Sequence, residues 1–422
     1  MTAAPQKAGL RNYLCVTAAY WADTLTDGAL RMLVLFYFYD KGYSALAVAS
    51  LFLFYEVFGI ITNLFGGWLA ARLGLKATLF MGLGTQMTAI SLLAFAPPAW
   101  LTVTWVMVSQ AFSGIAKDLT KMSSKSAVKL VAGDSQSQLY KWVAILTGSK
   151  NALKGVGFFL GGLLLSVAGF QPSLFILGGL VLTALVGAAF FMRGGLGTAS
   201  KSVKFTHMFS TSRAVNLLAA ARVFLFGARD VWFVVALPVF LSSVLGWKFW
   251  QAGGFMAVWI IGYGIVQAAT PALIRSNADG RTPDGRTAVK LAAALALIPA
   301  AIALALESGA ALALAVPGGL ILFGLVFALN SSVHSFLILD YADSKKVAQS
   351  VGFYYMANAC GRLAGTILSG ALYQYGLAHS ATRGLSICLW ASAAFLALTA
   401  LLSLALPAGH SRKSVLPAVT DD

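Results

Sequence analysis

Long apolar stretches, separated by short polar breaks, account for most of this 422-residue chain. A helix of about twenty apolar residues can cross the hydrocarbon core of a bilayer. Strands that face lipid are shorter and alternate apolar with polar positions, a pattern that this chain lacks. The pattern predicts about twelve transmembrane helices, over residues 13–39, 44–71, 76–96, 100–122, 139–168, 171–192, 213–245, 249–274, 288–307, 311–341, 346–375 and 381–406. We therefore expect an all-α membrane protein.

Composition supports this class and argues against others. Hydrophobic residues make up 59% of the chain and charged residues 10%, whereas soluble proteins carry roughly a quarter charged residues. The net charge of +16 is divided between short loops and helix interiors, so nucleic-acid binding is not expected. The three cysteines lie far apart, which argues against a disulfide framework or a thiol metal site. The sequence shows no phosphate-binding loop, metal cluster or catalytic triad, so we expect neither an enzyme nor a cofactor.

Lysine and arginine favour alternate loops. If the N-terminus is cytoplasmic, the inner connections hold most of the loop cations, and the outer connections hold only Lys41, Lys248 and Arg383. Because cytoplasmic loops are enriched in these residues, we expect both termini to be cytoplasmic.

The chain divides into two similar halves. A polar break near 193–212 separates six spans from six, and Asn151-Ala-Leu-Lys154-Gly155 in the fifth span resembles Asn358-Ala-Cys-Gly361-Arg362 in the eleventh. We expect an N-terminal six-helix bundle (1–192), a cytoplasmic loop (193–212), a C-terminal six-helix bundle (213–407) and a cytoplasmic tail (408–422). Paired six-span halves are how major-facilitator transporters are built.

The connection between the second and third spans adds a more specific signal. Gly67, Arg72, Gly74 and Lys76 resemble the major-facilitator loop signature, in which glycines permit a tight turn and cations hold the loop in the cytoplasm. Ala71 stands where that signature has an aspartate, which puts its charge relay in doubt. The resemblance implies a fold of two pseudo-symmetric bundles.

Charged residues interrupt several of the apolar spans. A charge at mid-membrane is costly, so it normally faces the bundle interior or a wet cavity and marks a pathway. The cationic and amide candidates for binding an anionic substrate are Arg31, Lys117, Lys150, Asn151, Lys154, Arg222, Arg229 and Arg362. The carboxylate candidates for proton coupling are Asp23, Asp27, Glu56, Asp230 and Asp340, among which we rank Asp23, Asp27 and Asp230 above Glu56.

Arg31 and Arg229 are the strongest binding candidates. They lie on the first helix of each half, and the planar guanidinium fork suits the oxygens of phosphate-like groups. Asp27 lies one turn from Arg31 and can pair with it, so a purely structural ion pair is the alternative interpretation. Asp230 is turned about a hundred degrees from its neighbour Arg229 on the helix.

Lys150 and Lys154, one turn apart with Asn151 between them, indicate a ligand with more than one negative charge, because two close ammonium groups repel without an anion. The alternative is that Lys150 reaches the inner membrane surface. Lys117 and its neighbours form either part of the pathway or a solvated cytoplasmic extension.

Four longer strings resemble the ArsJ family of organoarsenical exporters: YWADTLTDGALR (20–31), SGIAKDL (113–119), YKWVAILTGSKNALKG (140–155) and FLFGARDVWFVVALP (224–238). The resemblance implies export of 1-arseno-3-phosphoglycerate across the bacterial inner membrane. Glyceraldehyde-3-phosphate dehydrogenase would be the functional partner, because it makes that compound from arsenate. On this view Arg31 and Arg229 hold one end of the substrate, and Lys150 with Lys154 holds the other.

Two alternatives remain open from the residues alone. An organic-phosphate or sugar-phosphate antiporter, coupled to protons or phosphate, would need the same cations. A transport-inactive receptor for a phosphorylated ligand belongs to a different class. A passive channel is a weaker alternative, because repeated halves suit alternating access.

Overall fold

The computed structural model describes residues 3–128, 136–192, 212–275, 283–309, 312–341 and 347–407. Every regular element in these ranges is helical, which confirms the all-α prediction. The helices of the N-terminal half are α1 (Ala3–Asp40), α2 (Ala45–Ser50), α3 (Leu53–Leu73), α4 (Leu75–Ala94), α5 (Val103–Ala127), α6 (Gln136–Ala168) and α7 (Phe170–Phe191). Those of the C-terminal half are α8 (Arg213–Phe233), α9 (Ala236–Ser243), α10 (Phe249–Arg275), α11 (Gly285–Ser308), α12 (Leu312–Tyr341), α13 (Val347–Leu377) and α14 (Arg383–Leu404).

All twelve predicted spans coincide with helices. Nine of them are long and apolar enough to cross a membrane by length and composition. The remaining long helices, α1, α5 and α13, are the ones that carry Asp23, Lys117 and Arg362 within them. The chain is a multi-pass integral membrane protein. We call the membrane face at the start of α1 the terminal face, and the face at its end the far face.

Two predicted spans are interrupted, which the apolar pattern did not indicate. The second span is split into α2 and α3 at residues 51–52, and the seventh into α8 and α9 at residues 234–235. Pro238 lacks an N–H group, so it cannot complete the helical hydrogen bond to Val234. The backbone N–H groups of Val235 and Ala236 donate to the Ser369 hydroxyl at 3.2 and 3.1 Å. A side chain of α13 therefore stabilises the break in the seventh span.

The helices pack as two groups that meet along two seams. In the N-terminal group α1 packs on α5, α6 and α7, and α4 packs on α5 and α7. In the C-terminal group α8 packs on α13 and α14, and α11 packs on α12 and α14. The seams are formed by α6 against α10 and by α13 against α2 and α3. Most of the predicted central loop (193–211) and the whole tail (408–422) lie outside the described residues.

Glycines bring the backbones together at the α6–α10 seam. A Cβ atom at Gly155 would lie 2.8 Å from the Ala257 carbonyl oxygen, and one at Gly253 would lie 2.7 Å from that of Phe158. Neither distance is tolerable, so only glycine permits this approach. Small residues at such contacts are typical of membrane helix packing.

The loop signature is only partly described. Gly74 has a φ of 82° and precedes α4, so it makes the turn that we expected of it. Lys76 is half-buried in the first turn of α4. The surroundings of Gly67 and the side chain of Arg72 lie outside the described residues.

Candidate functional site

Glu56 is the centre of the largest charged cluster, although the sequence ranked it low. Its side chain is 2% exposed, on α3. Arg31 of α1 donates from Nη1 to Oε1 at 3.2 Å, and Arg362 of α13 donates from Nη2 to the same oxygen at 2.7 Å. One carboxylate therefore links an arginine of its own half to an arginine of the other half.

Asp230 extends this cluster on the C-terminal side. Arg229 binds Oδ1 through both Nε, at 2.6 Å, and Nη2, at 2.5 Å. Arg362 Nε lies 3.5 Å from Oδ2. The two neighbours on α8 pair despite their different directions on the helix, because the long arginine side chain folds back. We call the alternating series Arg31, Glu56, Arg362, Asp230 and Arg229 the charge chain.

The cations of the charge chain are more accessible than its carboxylates. Arg362 and Arg229 retain 19% and 16% of their side-chain exposure, whereas both carboxylates retain 2%. The three arginines outnumber the two carboxylates by one charge. The accessible edge of the cluster is therefore cationic, and it presents guanidinium groups that suit an oxyanion.

The expected pair between Asp27 and Arg31 is wrong. Within the described ranges no ion pair joins these residues, since Arg31 turns to Glu56 and stacks over the rings of Phe52 and Tyr55, at 5.0 and 5.1 Å from their centroids. Asp27 instead accepts hydrogen bonds from the Tyr55 hydroxyl, at 2.9 and 3.0 Å. Spacing on one helix brought the two residues to the same face, but better partners lie on α3.

Asp23 lies one turn from Asp27 and is also buried. Its Oδ2 accepts from the Thr120 hydroxyl at 2.6 Å, and its Oδ1 has no hydrogen-bond partner. Among the residues that the structure describes, neither Asp23 nor Asp27 forms an ion pair. These two carboxylates thus differ from Glu56 and Asp230, each of which is held by two arginines.

Lys117 and its neighbours on α5 form a separate group that faces α3. The Lys121 ammonium lies 2.5 Å from Asp118 Oδ1 and 2.8 Å from the amide oxygen of Asn63. The Lys117 ammonium lies 4.0 Å from Asp118 and 4.0 Å from the centroid of the Tyr55 ring. Tyr55 therefore touches both this group and the charge chain. A merely solvated extension does not describe these half-buried lysines.

The polar residues of α6 lie at the seam with α10. The side chain of Asn151 packs directly against Gly264. The ammonium of Lys154 lies 5.7 Å from the centroid of the Phe158 ring. Lys150 and Lys154 are both half-buried. In the described ranges Lys154 has no carboxylate partner, so it contributes an uncompensated charge at this seam.

Arg222 and Asp340 lie apart from the charge chain. Arg222 on α8 donates to the Ser331 carbonyl at 3.1 Å and stacks on Phe226, whose centroid is 4.0 Å away. Asp340 is half-buried, near the last residue of α12 and two residues beyond its apolar span. We had grouped it with the intramembrane carboxylates, and that placement is wrong.

A cavity of about 890 Å³ opens at the far face, between the ends of the two halves. Its lining includes Tyr39, Tyr43, Trp247 and Lys248. Phe36 of α1 and Phe249 of α10 stack below it with centroids 4.9 Å apart. Along α1 this stack lies between Arg31 and the cavity, so it separates the charge chain from the far face.

Sequence reasoning missed two residues of the site. Nothing in the apolar pattern singles out Tyr55, which supports both Asp27 and the ring contacts of Arg31. Glu56 did carry a signal, because it is the only charged residue between Lys41 and Arg72. A carboxylate isolated in an apolar helix requires a partner, and that partner here comes from other helices.

Comparison with known proteins identifies the family and leaves the substrate open. No curated protein sequence matches the chain. A POT family transporter in complex with a thioalcohol-conjugated peptide has a TM-score of 0.73 at 13% identity, with 93% of this chain and 95% of that chain covered. The nucleoside transporter NupG gives 0.70 at 13% identity (93% and 99% covered), and a bacterial homologue of the iron transporter ferroportin, in an inward-facing state, gives 0.68 at 15% identity (96% and 99% covered). The family model of the Major Facilitator Superfamily matches residues 14–366, and the chain therefore belongs to that superfamily.

Proposed function

We propose that this protein is a secondary active transporter that exports an organic oxyanion, 1-arseno-3-phosphoglycerate, in arsenate detoxification. Membership of the superfamily supports transport by a multi-pass membrane protein. The observation that carries the choice of an anion is the charge chain, whose accessible edge is cationic and whose carboxylates lie behind it. The four strings that resemble the organoarsenical exporters carry the choice among anions.

In this proposal Arg31, Arg229 and Arg362 bind the substrate. They come from α1, α8 and α13, so they reach the ligand from both halves. Each guanidinium has N–H groups beyond those that bind its carboxylate, and a tetrahedral oxyanion accepts several such bonds at once. Pentavalent arsenic in an oxyanion requires this chemistry, whereas trivalent arsenic seeks thiolates. Lys154 and Lys150 provide positive charge for the second anionic end.

The Arg362–Glu56 bond links anion binding to movement of the halves. It joins α13 to α3 across a seam, so it breaks or rearranges when the two bundles rotate. An oxyanion that binds Arg362 competes with Glu56 and weakens this link. Such a ligand-dependent change in cross-half contacts is what alternating access needs. The far-face cavity then serves as the exit when the Phe36–Phe249 stack opens.

Asp23 and Asp27 are the proposed proton carriers, because each is buried on α1 and lacks an arginine or lysine partner in the described residues. Glu56 and Asp230 stay ionised under their arginine partners. Both termini are placed in the cytoplasm of a bacterial inner membrane, on the side where glyceraldehyde-3-phosphate dehydrogenase makes the substrate.

The test is arsenic accumulation in inverted membrane vesicles, whose cytoplasmic face is outside. The unstable substrate is generated there by glyceraldehyde-3-phosphate dehydrogenase with NAD, arsenate and glyceraldehyde 3-phosphate. We expect accumulation that stops when glyceraldehyde 3-phosphate is omitted, which leaves free arsenate only. Equal uptake of 3-phosphoglycerate would instead identify a general organic-phosphate transporter. Absence of any oxyanion uptake by correctly inserted protein would refute the proposal.

The matched pair Arg229→Gln and Arg383→Gln separates site from fold. Arg383 is 53% exposed and pairs with Glu307 near the far face, away from the charge chain. We expect loss of uptake only in the first variant. Imposing and dissipating a pH gradient across the same vesicles tests proton coupling, and uptake that ignores the gradient would leave exchange or facilitated efflux.

A further inference from the structure

A second group of buried polar side chains surrounds Arg222 in the C-terminal half. Arg222 is 4% exposed, and in the described ranges it has no carboxylate partner. Its Nη1 donates to the Ser331 carbonyl, and the rings of Phe226 and Tyr354 lie 4.0 and 4.8 Å from its Cζ. Carbonyl and ring contacts stabilise the guanidinium in part. They leave its full positive charge uncompensated and its Nε without a hydrogen-bond partner.

The residues that follow on α12 are also unsatisfied. Asn330 and His334 are 0% exposed, and both polar atoms of each side chain lack a hydrogen-bond partner. They are one turn apart and therefore share a face of α12, and Ser331 on the same turn accepts the bond from Arg222. Buried polar groups in native proteins are almost always paired, and each unpaired group costs about 1–3 kcal/mol.

We propose that Arg222, Asn330 and His334 form a second anion subsite, which takes an oxyanion that keeps one hydroxyl group. Arg222, the Asn330 amide and one imidazole nitrogen donate hydrogen bonds. The Asn330 carbonyl oxygen and the other imidazole nitrogen accept. A singly protonated phosphate or arsenate group has both oxygens to accept and a hydroxyl to donate. A fully deprotonated ion such as sulfate leaves the acceptors unused.

The position of this subsite gives it a role in the export route, and only that role depends on the proposed function. Arg222 precedes Arg229 by seven residues, which places it about 10 Å nearer the terminal face along α8. Both guanidinium groups contact the same ring, because Phe226 lies 4.0 Å from one and 5.0 Å from the other. An anion that leaves Arg222 therefore meets Arg229 after passing one side chain.

Histidine-selective NMR of the full-length protein in lipid nanodiscs can test the subsite directly, with inorganic phosphate as the probe. The chain has four histidines, and the His334→Phe variant identifies the signal of His334. We expect phosphate to shift this signal, and sulfate at the same ionic strength to shift it at least tenfold less effectively. His379, exposed near the far face, is the internal control and should not respond.

Asn330→Leu and Arg222→Met should each weaken the phosphate titration of His334 at least tenfold, because each removes a hydrogen bond to a charged group. Arg383→Met, a change at an exposed arginine, should leave it unaltered. Asn330→Leu should be as stable as the wild type without phosphate, since an apolar group of the same shape replaces an unsatisfied amide.

A His334 signal that ignores phosphate, or a titration that Asn330→Leu leaves unchanged, overturns the subsite. Vesicle uptake reports on the proposed function separately. If phosphate binds as expected but vesicles do not accumulate arsenic, the subsite stands and the substrate assignment fails. If arsenic accumulates while the titration is unaffected by the variants, the transporter stands and the subsite fails.

Discussion

Replacing Glu56 by glutamine should make the protein bind its anion more tightly and transport it more slowly. Glu56 Oε1 accepts from Arg362 at 2.7 Å and from Arg31 at 3.2 Å, with 2% of its side chain exposed. An entering oxyanion must therefore compete with this carboxylate for both arginines. Glutamine retains the size and one acceptor oxygen, and it removes the competing charge.

The size of the effect follows from these contacts. A hydrogen bond to a charged group is worth about 1.5–3 kcal/mol, and 1.4 kcal/mol is a factor of ten in affinity. Release of Arg362 alone should therefore tighten anion binding by about 10- to 100-fold. Removing one partner of a buried ion pair typically costs about 3–5 kcal/mol of stability, so the ligand-free variant should unfold more easily and regain stability when the anion binds.

The assay is thermal unfolding of the purified protein over a range of 3-phosphoglycerate concentrations, together with vesicle uptake. Glu307→Gln is the matched control, because Glu307 is 32% exposed and pairs with Arg383 at 3.8 Å, away from the charge chain. We expect a larger ligand-induced rise in Tm for Glu56→Gln than for wild type and control. Weaker or equal binding by Glu56→Gln would refute the competition on which the mechanism depends.

Three further changes test other parts of the site. Arg362→Lys should slow uptake at least tenfold at normal membrane levels, because one ammonium cannot reproduce the two separate bonds of the guanidinium; wild-type uptake would contradict the bridging role. Gly365→Ala should lower Tm and uptake together, since its Cβ would lie 2.7 Å from that of Asp230, whereas Gly179→Ala, in open space, should change neither. Asp23→Asn should abolish the dependence of uptake on a pH gradient while phosphate binding persists, and a retained dependence would exclude Asp23 as the proton carrier.

The fold could be predicted well because its signals are local. Hydrophobic length alone located all twelve spans, and the repeated Asn151 and Asn358 strings indicated two halves. The interruption at 234–235 had a local signal too, in Pro238, but its stabilisation by Ser369 joins residues more than 130 positions apart. Local patterns do not contain such contacts.

The partners inside the site could not be predicted for the same reason. Helical spacing placed Asp27 and Arg31 on one face, and it gave no information on the residues of α3 that face them. The membership of Arg31, Arg229 and Arg362 in one cluster depends on the packing of α1, α8 and α13. Glycines such as Gly365 set that packing by permitting close approach, yet the sequence does not state which helix approaches.

The partial neutralisation of the charge chain fits a carrier better than a storage protein. Three uncompensated arginines in a low-dielectric interior would hold a multivalent anion too tightly for rapid release. With Glu56 and Asp230 behind them, the arginines exchange one set of acceptors for another, so the net gain on binding is a small difference between large terms. Selective transport requires binding strong enough to admit the ion and weak enough to release it. The same carboxylates that allow the arginines to reside in the membrane thus also provide the competitors that make release possible.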